Sequence, residues 1–182
     1  RITGGFYTGT ANDEIGWMWT SNAGGSFPHM FVRMVKLDAL TFDVTSERSI
    51  WFSTGAWAYP AADASSGGHL AGAMCFGGGT FYPGTAGWII DDLNCGGFDN
   101  IILTDGNFGP DSSRFGDFVT SQYINGNLWM VTGIAQRNGS ANGNSRPRNA
   151  EIGRPELAFP TTFNLSVDSV PVTGALVSVT AD

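Results

Sequence analysis

Charge is scarce in this sequence. Only 14% of its 182 residues are Asp, Glu, Lys or Arg, against about a quarter in an average globular domain. There is a single lysine, Lys36, and the formal net charge is −7. Nucleic acid demands several clustered phosphate contacts, so a chain this poor in cations is not built to bind it. An anionic membrane surface is disfavoured for the same reason. No run approaches the roughly 18 apolar residues of a membrane span. Cysteine is limited to Cys75 and Cys95. Without a CxxC or His-x-x-x-His spacing they do not read as a zinc site, and either one disulfide or two buried thiols remains open. Gly77-Gly78-Gly79 lacks the Lys, the Ser/Thr pattern and the following helix of a phosphate loop. Helical periodicity is nearly absent. There is also no initiator methionine, and beginning at Arg1 the chain reads as mature or as excised from something longer.

What remains is aromatic, glycine-rich and strand-like. Phe, Trp and Tyr number 13, 6 and 4, Gly numbers 26, and 42% of residues are hydrophobic. Bulky side chains of this kind suit a half-buried pleated surface. Short apolar runs bounded by Gly, Asn, Asp, Ser and Pro predict an all-β domain. The expected strands are Glu14–Thr20, His29–Asp38, Ser49–Phe52, Trp57–Ala64, His69–Phe76, Ala86–Asp91, Asn100–Thr104, Gly116–Ile124, Leu128–Gln136 and Arg148–Gly153. Those from Trp57 to Thr104 read as one four-stranded antiparallel meander. A weak internal repeat, offset by 58 residues, relates Trp57-Ala58-Tyr59-Pro60 and the strand at His69 to Phe115-Gly116-Asp117-Phe118 and the strand at Leu128.

Ser113-Arg114-Phe115-Gly116-Asp117-Phe118-Val119, then Leu128-Trp129-Met130-Val131-Thr132-Gly133, resembles the S-x-R-W-G-D-Y and W-V-A-T-G pattern that opens a blade in secreted sialidase-like (BNR-type) β-propeller proteins. Thr20-Ser21-Asn22-Ala23-Gly24-Gly25-Ser26-Phe27 resembles a degenerate Asp-box of that family, with Asn for Asp and Phe for Trp. Further echoes run in the family's order from Gly9 to Pro155. The resemblance implies a partial β-propeller of about three blades over residues 1–155. Residues 156–182 would then be C-terminal strands that close the ring or reach a neighbour. Because a closed ring usually needs four to eight blades, the chain would belong to a larger ring or share one between copies. A lectin-like β-sandwich is the alternative fold.

The same resemblance directs attention to the entry of the innermost strands. Arg114 and Asp117 would contact a polar ligand at the ring's mouth or lock adjacent blades. Trp57 and Tyr59 open the equivalent strand of the preceding blade, where aromatic faces suit sugar rings or pack between blades. Competent sialidase chemistry needs three converging arginines and a Tyr–Glu pair, and no spacing singles these out. No catalytic residue and no cofactor is therefore assigned. A structural calcium at Asp91, Asp92 and Asp99 lacks a recognised spacing, so solvated turn carboxylates are the plainer expectation. His29 and His69, 40 residues apart, are expected to be structural. The expected function is a non-catalytic, secreted or cell-surface module for binding or assembly, recognising a glycan or protein surface. The alternatives are a structural subunit of an appendage, coat or surface layer, and a divergent glycosidase.

Overall fold

The structure is a computed structural model, and it describes residues 2–93, 95–110, 115, 116, 118–141 and 144–154. The C-terminal segment expected over 156–182, and with it the strand expected to close or join, lies outside the described residues. Among the described residues, eleven strands form three antiparallel sheets, none of them closed. The first is a meander of β1 (Ile2–Tyr7), β2 (Glu14–Ser21), β3 (Phe31–Asp38) and β4 (Val44–Ile50). The second is β5 (Ala56–Ala64), β6 (Leu70–Gly78), β7 (Phe81–Ile90) and β8 (Asp99–Thr104), the four-stranded meander expected from the sequence. The third comprises β9 (Thr120–Asn125), β10 (Leu128–Gln136) and β11 (Ser145–Gly153). The chain is thus all-β, with meanders stacked face to face in chain order.

The second sheet lies in the middle and is covered on both faces. Against one face, Met18, Val32, Met34 and Ile50 of the first sheet meet Trp57, Met74 and Trp88. Against the other, Trp129, Val131 and Ile152 of the third sheet meet Ala71, Ala73 and Ile89. Double coverage explains why β6 and β7 read as unbroken apolar runs instead of alternating. Each large side chain buried this way contributes about 1.5–3 kcal/mol. Small residues set the spacing: a Cβ on Gly72 would collide with the Ala61 carbonyl and the Trp88 ring. Strand β5 is shared, because β1, β2 and β3 pack on it from one side and β9 from the other.

Five strands depart from expectation by three residues or more, among them β7, which begins at Phe81 and not Ala86, and β11, which begins at Ser145 and not Arg148. β1 was not anticipated, since Gly4 and Gly5 give it little strand character. Gly4 nevertheless allows the close approach, as its Cβ position lies 3.1 Å from the Pro60 carbonyl oxygen. β4 spans Val44–Ile50, not Ser49–Phe52, because an edge strand with one buried face tolerates the polar run Thr45-Ser46-Glu47-Arg48. Phe52 instead makes an isolated bridge with Gly55. β9 begins at Thr120, four residues later than expected.

All chain reversals joining consecutive strands fall at one of two ends. The registers Glu14↔Asp38, Ala64↔Leu70, Leu70↔Ile90 and Leu128↔Asn125 define a lower end. Ser21↔Phe31, Ala56↔Gly77, Thr85↔Thr104 and Gln136↔Ser145 define the upper end.

Candidate functional site

At the upper end β5 starts beside Met30, whose carbonyl accepts the Trp57 amide at 3.1 Å. Between Ala58 and Ala61 the pairing of β5 with β6 slips by a bulge. Pro60 explains the bulge, since it has no amide to donate to the ladder. Tyr59 absorbs the distortion at φ 52°, a region that bulky residues rarely adopt. Its displaced amide donates to Thr20 Oγ1 at 2.9 Å, which ties the bulge to the first sheet. A bulge re-aims a side chain, and here it turns the Tyr59 ring out of the sheet stack and into a cleft.

The cleft has a volume of about 190 Å³. Met30, Tyr59, Phe76, Pro83 and Phe115 supply its apolar walls, and Cys75 and Gly77 lie along it. Gly116 packs on the Tyr59 ring and the Cys75 sulfur so closely that no side chain fits there. Its φ of 100° also belongs to glycine. The segment entering β9 is thereby seated against the start of β5. Among the described lining residues none carries a carboxylate, an imidazole or a guanidinium. Such a surface suits an apolar or aromatic group, held by area and shape.

The structure divides the residues singled out in the sequence. Tyr59 lines the cleft, whereas Trp57 is buried in the core against Phe52 and Phe76. Alternation along β5, interrupted by the bulge, separates their roles. Arg114 and Asp117 lie outside the described residues, although their neighbours Phe115 and Gly116 are in place at the cleft. Cys75 and Cys95 form no disulfide. Cys75 pairs with Thr85 near the upper end of β6, while Cys95 follows Ile90 in the lower turn, five ladder positions away. At about 3.3 Å per residue that separation exceeds disulfide reach. His29 precedes β3 at the upper end and His69 precedes β6 at the lower end, so they form no dyad. His69 sits instead between Asn127 Oδ1 and Asp92 Oδ2, both at 3.3 Å.

Asp91 and Asp99, read from sequence as solvated turn carboxylates or calcium ligands, converge on Arg154. Its Nε donates to Asp91 Oδ2 at 2.6 Å and its Nη2 to Asp99 Oδ2. Arg154 and Asp91 are both buried. Burial alone pulls the guanidinium pKa down, but the two carboxylates outweigh it and hold the group above its ordinary value. The cation that these carboxylates face is therefore a side chain, and it fastens the end of β11 to the second sheet.

Sequence reasoning missed Met30, Phe76 and Pro83 as cleft residues, because they come from three separate strands or loops. One available signal was Tyr59-Pro60 inside a strand, since an internal proline marks a bulge. The degenerate Asp-box segment forms a tight reversal with Gly24 and Phe27 exchanging backbone bonds at 2.9 and 3.1 Å. Phe27 then stacks on Phe31 with ring centroids 3.9 Å apart. No model of a known protein family matches the chain, and no curated protein matches it either.

Proposed function

We propose that this chain is a non-catalytic, extracellular module for recognition and assembly, built from propeller-like blades of the sialidase-like type that its motifs resemble. The cleft beside Tyr59 is its recognition site. One observation carries the reading: a bulky residue is held at an unfavourable φ, on a proline-induced bulge, so that its ring forms the wall of an apolar cleft. Strain of this kind costs of order 1–3 kcal/mol and persists where the surroundings enforce it, often at ligand sites. The glycosidase alternative calls for two carboxyls, or a Tyr–Glu pair, facing each other across a cleft. The described lining offers neither. Recognition of one exposed aromatic or aliphatic group is what such walls do best.

Titration with N-acetyl-phenylalanine amide and with a panel of monosaccharides including sialic acid, followed by Tyr chemical shifts, tests this reading. The expected result is saturable binding of the aromatic probe that perturbs Tyr59 and vanishes in Tyr59→Asn. Asparagine keeps the left-handed backbone while removing the ring. Binding of sugars alone would direct the site to glycans. Binding of neither class, or turnover of a fluorogenic glycoside, would overturn the proposal.

A further inference from the structure

The first sheet is apolar on both of its faces. Met18, Val32 and Met34 turn inward to the second sheet. Side chains alternate along a strand, so the residues between them turn outward. These include Ile15, Trp17 and Trp19 of β2 and Val35 and Leu37 of β3, all half-buried. The Trp17 ring lies beside Gly5 of β1, 3.9 Å from its Cβ position. Ile2 and Tyr7 extend the same face across β1 and are exposed. At the upper margin Phe27 stacks on Phe31 and meets Trp51 edge-on. The second sheet occupies the middle of the stack, so this face is an outer one. An antiparallel sheet that faces water on one side normally presents polar residues there. The outer face of the third sheet is of that kind. Thr120, Gln122, Asn149 and Glu151 flank Met130 and Thr132 on it, and Thr132 Oγ1 donates to Asn149 Oδ1 at 2.8 Å.

Two charges interrupt the apolar face of the first sheet, Arg33 and Glu47. The registers Arg33↔Ser49 and Val35↔Glu47 put them on the same face of adjacent strands, two positions apart along the ladder. Both are exposed, and among the described residues neither has an ion-pair partner. A cation and an anion placed side by side are complementary to a second copy of themselves. A two-fold axis lying in the contact plane between them sets each Arg33 against the Glu47 of the other copy.

We propose that two copies of this chain associate through the outer faces of their first sheets, sheet packed on sheet about a two-fold axis. The four strands span roughly 20 by 23 Å, so two such faces bury on the order of 1,000 Å² in total, the threshold of a specific interface. The third sheet's polar outer face gives the apolar one no counterpart for head-to-tail stacking, so like meets like. The inference does not depend on the Tyr59 cleft and goes beyond the recognition reading.

The test is sedimentation velocity with light scattering over a concentration series reaching the millimolar range. The expected mass moves from monomer to dimer and stops there, because an isologous contact closes on itself. Arg33→Glu and Glu47→Arg each set like charges against each other across the axis and weaken the dimer at least tenfold. Neither changes the melting temperature of the monomer, since both side chains are exposed and unpaired within it. Mixed in equal amounts, the two single variants recover the dimer, because two carboxylates then face two guanidiniums. Both exchanges made in one chain recover it as well. Trp19→Thr, which removes apolar area without touching the charges, weakens the dimer by a similar factor. A mass that grows past dimer, a dimer indifferent to the single reversals, or single variants that fail to rescue each other would each overturn the inference. So would a chain that stays monomeric throughout, which would leave the face to residues 155–182 or to a different protein.

Discussion

Tyr59 and Phe42 are two bulky aromatic residues held at positive φ, Tyr59 half-buried with its ring against Gly116 and Phe42 exposed in the turn after β3. Asp38 shows how such a position is enforced. Its carboxylate is held below the usual aspartate range by the Thr41 amide first and the Leu40 amide second. A depressed folded pKa means that the contribution is present above the ordinary aspartate value and is lost as pH falls through the folded one. Amide exchange read by NMR should therefore keep Leu40 and Thr41 protected through the normal aspartate range and release them only at more acid pH. Asp38→Asn should remove that acid step, and an unchanged pH profile would refute the role of the carboxylate.

Among the strands, the middle sheet decides how the three sheets stack. β6 and β7 combine Trp88 and Met74 on one face with alanines and glycines where neighbouring backbone approaches. Gly72→Ala should destabilise by about 1–3 kcal/mol, since the added methyl meets the Ala61 carbonyl and has no open space to enter. Urea denaturation checks it, and a neutral result would mean that β5 and β6 can separate without loss. The strands with strong sequence signals, Leu128–Gln136 above all, stand where the apolar pattern put them. β1 and β4 were illegible or displaced because edge strands and glycine pairs take their structure from partners, which local sequence does not contain.

At the scale of the whole molecule, three sheets are joined by few covalent crossings and many packed faces. One polar fastening stands out. Arg154 brings the last described strand onto Asp91 and Asp99 of the middle sheet. Arg154→Met should cost about 3–5 kcal/mol, because it leaves the Asp91 carboxylate buried without its cation. Adding Asp91→Asn to that variant should recover part of the loss in the same thermal melt. A single variant as stable as wild type would show that the sheets hold together by apolar packing alone.

The sequence by itself determined the all-β class, the four-stranded meander from Trp57 to Thr104 and the turn chemistry between strands. These depend on alternation and on Gly, Asn and Asp at reversals, which are local properties of the chain. Tertiary structure alone decided that Trp57 is core while Tyr59 lines a cleft, that Asp91 and Asp99 meet Arg154, and that the two cysteines stand apart. It also decided that Met30, Phe76, Pro83 and Phe115 share a cleft. Each of these joins residues tens of positions apart, and strand register together with sheet stacking sets such distances only once the whole chain has packed.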